Sequence, residues 1–486
     1  MNSIVEEIYN HSINDPYKLC IIEQSRKYNY IDFFNEIKKY ANSFKNIYRI
    51  DKGDCVIVEC VQSIEYFLIE FAIHLIGGIF VPLEAKCIDA KIIDVHYLCK
   101  SKLIILKNNR NISKVNNTIS YNDLSANLNK QLDDYIFPDN NSISEILFST
   151  GTTGKEKGIV LTHKNDIAVA ENIIHGVSMK KDNIEIMPLP INHSHGLRSC
   201  YANFLNGSTL ILFDSITNIS FLQESLDVYK ANSIDLVPSA LSILLKLSRN
   251  MLSNYSDQIR YIEFGSAALL ESDKQKIQEL LPNSDLFNFY GSTESGRTIV
   301  YNFKKGNKKE KCIGKPTYNV ELAFLDENNN VIKSSIDNVG KIAVAGDMNM
   351  LRYCNDEEET KKAFVGKYIV SNDLAYLDDE GDVILLGRED DVINIGGKKV
   401  SPEEIESVTK QIKDVEDCAC VPISDETLGQ TPKLFVQLKR NKNIDIKEVK
   451  NYLSANLEKF KVPNKIEIID VIPRTFNGKI NRKILK

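Results

Sequence analysis

Short runs of β-branched and other apolar residues alternate along this chain with longer stretches in which apolar positions recur every three or four residues. Val56-Ile-Val58, Ile79-Phe-Val81 and Leu103-Ile-Ile-Leu106 are runs of the first kind. Continuous apolar runs of that length fit strands covered on both faces, and the stretches between them fit crossover helices, so the rhythm predicts parallel sheets. It returns with Thr209-Leu-Ile-Leu-Phe213 and Ile234-Asp-Leu-Val237 around a helical segment from Phe221 to Lys230. One or two layered α/β subdomains are expected over residues 1 to about 300.

Between Gly314 and Leu386 the texture changes to short strands and polar turns such as Asp326-Glu-Asn-Asn-Asn330 and Asp378-Asp-Glu-Gly381, which predicts a β-rich barrel or sandwich. A charged, glycine-bearing connection follows Gly387, and the tail beyond it fits a separate small domain. A helix is expected to start at Ser401-Pro-Glu-Glu404, with the serine as its cap and the acids favouring its first turn. The apolar segment from Tyr66 to Leu83 reads as a buried helix followed by a strand, because Glu70 and His74 interrupt it and Gly77-Gly78 breaks it.

With 486 residues, 43% of them hydrophobic, the chain can bury large cores; a formal net charge of −6 gives none of the basic excess that nucleic acid requires. The run Lys304-Lys-Gly-Asn-Lys-Lys309 reads as a surface turn. The start, Met1-Asn-Ser-Ile-Val-Glu-Glu, has no signal-peptide pattern, and the ten cysteines form no Cys-x-x-Cys pair, so a cytoplasmic protein with free thiols is expected. Cys418-Ala-Cys420 reads as strand core. His193-Ser-His195 has no clustered Cys or His partners elsewhere at ligand spacing, so zinc is not expected.

The chemistry concentrates in Ser149-Thr-Gly-Thr-Thr-Gly-Lys-Glu-Lys-Gly158, between the apolar runs Ile146-Leu-Phe148 and Ile159-Val-Leu161. Three glycines let backbone N–H groups turn toward one anion, four hydroxyls (Ser149, Thr150, Thr152, Thr153) add donors, and Lys155 and Lys157 add charge, a composition suited to a polyphosphate. It is not a Walker loop, since no Gly-Lys-Ser/Thr follows a four-residue spacer and the next segment is too β-branched for a helix. Strand, loop, strand is the expected layout.

This loop resembles the phosphate-binding signature of the adenylate-forming enzymes: acyl-CoA synthetases, luciferases and peptide-synthetase adenylation domains. Leu189-Pro-Ile-Asn-His-Ser-His-Gly-Leu197, Phe289-Tyr-Gly-Ser-Thr-Glu-Ser-Gly296, Ser371-Asn-Asp-Leu-Ala375, Gly387-Arg-Glu-Asp-Asp391, Gly396-Gly-Lys398 and Pro473-Arg-Thr-Phe-Asn-Gly-Lys479 are similar to further family motifs, in the family's order. The resemblance implies an α/β protein: a large N-terminal domain over residues 1–388, built of layered α/β subdomains plus a β-rich one, and a small mobile α+β lid over residues 389–486. It also implies that ATP activates a carboxylic acid as an acyl-adenylate, with Mg²⁺ as cofactor, before a thiol displaces AMP. Coenzyme A is the expected acceptor, a separate acyl carrier protein the alternative, and a nucleotide-binding protein without catalysis the rival of a different class. No membrane span and no nucleic-acid partner are expected.

Carried over residue by residue, the resemblance makes Ser149, Thr150, Gly151, Thr152, Thr153, Gly154 and Lys157 phosphate-binding. It gives Thr293 the α-phosphate, Glu294 the Mg²⁺, and Tyr290, Gly291, Gly265, Ser266 and Ala267 the base pocket. Asp373 and Arg388 would grip the ribose, Asp390 would be the hinge, Gly396 and Gly397 would line the thiol tunnel, and Lys479 would steady the charge that develops during adenylation. His195 is either the border of the acyl pocket or a satisfied core histidine. Ser194 stands near where amino-acid-activating relatives place an aspartate, which favours a plain acid, and Arg198 either faces a second carboxylate or lies on the surface. Three positions in two motifs depart from the pattern: Ser371-Asn-Asp replaces Thr-Gly-Asp, and Glu156 replaces a proline.

Overall fold

A computed structural model describes residues 1–486 except 129, 151–155, 267, 268, 270, 306–308, 310, 396, 397, 426, 475–479 and 486. The chain divides into two compact units. The first comprises Met1–Lys309, Ile313–Leu322 and Val344–Ile369, and the second Glu310–Cys312, Ala323–Ala343 and Val370–Lys486.

Two sheets organise the first unit. In one, the apolar runs form the parallel strands Cys55–Glu59, Ile79–Leu83 and Leu103–Leu106, every residue of which is buried. The strand Ile143–Thr150 continues this sheet, and Glu156–Thr162 turns back antiparallel to it, so strands do flank the phosphate-loop sequence. A two-residue strand, Arg352–Tyr353, closes the edge beside Val160 and Ile159. In the other sheet Leu19–Glu23, Thr209–Leu212, Ile184–Met187, Ser233–Leu236, Tyr261–Phe264 and Asp285–Ser292 run parallel in that order, and Gly296–Asn302 returns as an antiparallel neighbour. Its apolar face packs with the Ile219–Asp227 and Pro238–Ser248 helices into one core that includes Leu222, Leu226, Leu241 and Leu244.

The helices His163–Gly176 and Ser194–Asn206 pack against each other, and the second bonds to strands of both sheets. From Gly196 to Asn206 every residue of it is buried. A helix covered all round is normally apolar all round. This one carries Arg198, Ser199, Tyr201 and Asn203 inward, and each must find a partner.

The segment from Tyr66 to Leu83 is the predicted buried helix, Ile64–Leu75, followed by the strand Ile79–Leu83. Among the described residues no helix is long and apolar enough to cross a membrane.

In the second unit Tyr368–Leu377 and Val383–Arg388 form an antiparallel pair. The tail builds a separate α+β layer in which Val415–Asp425 pairs with Gly429–Leu438, covered by the helices Pro402–Thr409 and Ile446–Asn456. Cys418 and Cys420 lie in its core, and all ten cysteines carry free thiols. The expected serine cap at Ser401 is corrected: its hydroxyl donates to Glu403 at 2.7 Å instead of accepting from the helix, while Pro402 supplies a preset first turn.

Candidate active site

The Thr293–Glu294 turn joins Asp285–Ser292 to Gly296–Asn302, and two glycines make it sharp. A Cβ on Gly291 would lie 1.9 Å from the Gly296 carbonyl oxygen; Gly296 has φ of +65° and would press a Cβ against Val169 at 2.4 Å. Only glycine fits either place. Ser295 N–H donates to the Ser292 hydroxyl at 3.2 Å and tightens the turn.

A second element reaches this turn from far along the chain. Thr162 and Asn165 form a capping box at the start of the His163–Gly176 helix, and the Asn165 amide donates onward to the carbonyls of Asp347 (2.7 Å) and Asn349 (2.8 Å). That pins the 347–350 turn, so Met350 N–H reaches the Glu294 carbonyl at 2.7 Å and the Tyr353 hydroxyl donates to Glu294 Oε1 at 2.9 Å. The Tyr353 phenol titrates above its ordinary range because burial and the neighbouring Glu294 both oppose its ionisation. Lys157 lies over the Tyr353 ring, with Nζ 4.8 Å from the centroid, and pairs with Glu359. Bonds from Lys157 and Lys362 hold the Glu359 carboxyl down to about 2. The phosphate-loop lysine and the carboxylate expected to bind metal therefore meet on one tyrosine. Tyr353 follows a turn that an amide far upstream pins, so no local pattern announces its role, whereas Glu359 sits in a helix capped locally by Asp356, whose carboxylate accepts from Glu359 N–H at 3.0 Å.

His195 is neither isolated nor a sealed core residue. Its Nε2 is 2.9 Å from Asp235 Oδ1, and its Nδ1 is 2.8 Å from the hydroxyl of Ser266, an exposed residue with φ of +69°. Gly265 makes room for the ring, since a Cβ there would come within 2.9 Å of His195 Cε1. Asp235 also accepts from Ser199 and from Arg297 Nη2 (3.0 Å), while Arg297 Nη1 donates to Glu263 at 2.6 Å. Burial by itself would raise the Asp235 carboxyl; His195 and Arg297 outweigh it and bring the group below the ordinary aspartate range. Glu185 and Glu263 share the same interior and titrate high: both are buried, Glu185 with Glu263 and Asp235 close by, and Glu263 with Asp235 close by. The signal for this cluster was present: one acid interrupts each of the apolar strands Ile184–Met187, Ser233–Leu236 and Tyr261–Phe264, with Asp235 and Glu263 in direct register.

Arg198 corrects both of its expected roles. It is 2% exposed, donates to Asp166 at 2.8 Å and to Glu145, and its guanidinium lies 5.2 Å from the Tyr201 ring centre. It is closed off from solvent and paired with the chain's own carboxylates. On a helix buried on every side, a cation must pair inward.

In the second unit Asp373 and Arg388 are cross-strand partners. The Ser371 hydroxyl accepts from Asp373 N–H at 3.1 Å, a bond that a threonine hydroxyl would also make. Asp390 is exposed in the turn that follows. Ser149 and Thr150 end their strand and Tyr290 lies in the strand before the Thr293 turn. Gly151, Thr152, Thr153, Gly154, Lys155, Ala267, Gly396, Gly397 and Lys479 lie outside the described residues.

The AMP-binding enzyme family matches residues 10–354, and its C-terminal domain family matches residues 404–479. The chain belongs to the AMP-binding enzyme family. A 4-coumarate–CoA ligase of Vanilla planifolia is 26% identical over 90% of the chain and 84% of its own length, and a 2-succinylbenzoate–CoA ligase of Listeria innocua is 28% identical over 77% and 76%. An oxalate–CoA ligase of Saccharomyces cerevisiae is 27% identical over 72% of the chain, and that match spans 64% of the yeast protein. ATP-bound MatB from Rhodopseudomonas palustris shares the fold with a TM-score of 0.88 at 23% identity, over 100% of this chain and 98% of its own. So does the o-succinylbenzoate CoA synthetase of Bacillus subtilis bound to its acyl-adenylate, with a TM-score of 0.86 at 22% identity over 100% and 98%.

Proposed function

We propose that this family member is an AMP-forming acid–thiol ligase: it joins a carboxylic acid to AMP, releases pyrophosphate, and passes the acyl group to the thiol of coenzyme A. The junction of Lys157, Tyr353 and Glu294 carries the reading, because a phosphate-seeking ammonium and a hard carboxylate are what phosphoryl transfer needs side by side. Glu294, partly exposed and bonded through one oxygen to Tyr353, suits a Mg²⁺ ion, which when bound would offset phosphate charge.

In this reading Thr293 and the donors of residues 149–154 contact the phosphates, and Tyr290, Gly291 and Gly265 to Ala267 border the base. Asp373 and Arg388 take the ribose hydroxyls and His195 borders the acid. Asp390 serves as the hinge between residues 1–388 and 389–486, Gly396 and Gly397 admit the pantetheine arm, and Lys479 steadies the charge that develops in adenylation. Relatives named as ligases of 4-coumarate, 2-succinylbenzoate and oxalate support a carboxylic acid as substrate.

Pyrophosphate release with ATP and Mg²⁺ over aliphatic, aromatic and dicarboxylic acids, with and without coenzyme A, tests the reading. Acid-dependent release that turns over faster with coenzyme A is expected. Release indifferent to coenzyme A would shift the acceptor to a carrier protein, and silence with every acid while ATP still binds would replace catalysis by nucleotide binding.

A further inference from the structure

The two half-reactions differ by one proton. In the first, the attacking carboxylate is already an anion. In the second, a thiol with a pKa of about 8.5 is mostly protonated at neutral pH and must lose its proton as it attacks. Its S–H electron pair becomes the new carbon–sulfur bond, the acyl carbon–oxygen bond breaks with its pair remaining on AMP, and the proton needs an acceptor.

His195 is set up as that acceptor. The Asp235 side chain is 0% exposed, and a carboxylate can only accept, so the ring proton is fixed on Nε2. Nδ1 keeps its lone pair and turns it to the hydroxyl of the exposed Ser266 at 2.8 Å, and the His195 side chain retains 13% exposure. The base, its orienting carboxylate and an exposed hydroxyl in the proton-donor position form the geometry of an activated nucleophile. Asp235, Arg297 and Ser266 face His195, with Glu263 held behind on Arg297 and Glu185 beside it; Arg297 Nη2 also donates to the His195 carbonyl at 3.2 Å.

We propose that Asp235 is a positioning residue that fixes the Nε2–H form of His195, and that His195 takes the thiol proton at Nδ1, where the Ser266 hydroxyl now sits. This rests on the ligase reading, with His195 at the border of the acid site.

The test separates the halves: single-turnover transfer from a supplied acyl-adenylate to coenzyme A, and acid-dependent ATP–pyrophosphate exchange. In Asp235→Asn the amide donates to Nε2 and moves the ring proton to Nδ1. Transfer is expected to fall about tenfold or more while exchange stays within roughly threefold, and the pH profile of transfer should then follow the thiolate fraction alone. His195→Gln leaves the buried Asp235–Arg297 pair intact, so it decides the matter if Asp235→Asn does not fold. Because His195 borders the acid, this variant is read by transfer from the supplied acyl-adenylate alone, which is expected to fall about tenfold or more and to be partly restored by added imidazole. Equal loss in both halves for Asp235→Asn, unchanged transfer in either variant, or a His195→Gln loss that imidazole does not restore overturns the proposal. Exchange that is silent with every acid in the unaltered protein overturns the ligase reading beneath it, whereas intact exchange with unaffected transfer overturns the base alone.

Discussion

The two polar faces of the Ser194–Asn206 helix make the informative comparison. Toward one sheet, Arg198 and Tyr201 meet Glu145, Asp166 and Glu70 in a cluster sealed from water. Toward the other, Ser199 and His195 meet Asp235 and Arg297 in a cluster just as charged, but one that opens at its end through His195 and Ser266. Both satisfy buried charge in the same way. The difference is access: a sealed network can only hold the layers together, whereas one with a ring at its mouth can also move a proton.

Breaking the sealed face should have the largest effect. Arg198→Met leaves Glu145 and Asp166 without their cation, and unfolding in urea should show a loss of about 3–5 kcal/mol. Arg297→Lys on the open face loses the fork that spans Glu263 and Asp235. A smaller stability cost of about 1–3 kcal/mol is expected in the same assay, accompanied by slower acyl transfer.

A pH dependence sharpens the contrast further. Glu70 and Glu185 are buried and titrate well above the ordinary carboxyl value, burial being the main cause. The folded chain therefore keeps protons that the unfolded chain releases above a pH of about 4.5, and stability falls as pH rises from there toward the folded-state values. Glu70→Gln and Glu185→Gln should flatten that fall, with melting temperatures roughly 2–4 °C above the parent at pH 8 and little difference at pH 4.

Smaller effects belong to the phosphate side. Tyr353→Phe removes one hydrogen bond, worth about 1 kcal/mol, and should weaken the ATP and Mg²⁺ dependence of pyrophosphate exchange several-fold without slowing transfer from a supplied adenylate. Glu359→Gln breaks a part-exposed pair, so its stability change should stay below about 1 kcal/mol, while the freed Lys157 tightens ATP binding by a few-fold in calorimetry.

Local pattern made much of the fold legible. The strands around Val56, Ile79, Leu103 and Thr209 were readable because parallel strands buried on both faces leave unbroken apolar runs. The strand, loop, strand frame of the phosphate-loop sequence was readable because its second arm is too β-branched for a helix. The Ser401 cap was not, since a serine before Pro-Glu-Glu reads the same whether its hydroxyl meets the backbone or Glu403. The helix Glu357–Ala363, which carries Glu359, lies inside a stretch whose turn-rich texture promised only strands.

The sequence by itself determined the alternation of strands and helices over residues 1 to about 300, the phosphate-loop composition and the family, because each is written in consecutive residues with a local periodicity or spacing. Tertiary structure alone decided that Arg198 is buried, that Asp235 holds His195, and that Tyr353 joins Lys157 to Glu294. Those outcomes depend on which strand and which turn arrive beside a side chain from 32 to 202 residues away. A buried charge is settled by the partner that the packing supplies, and no local pattern names that partner.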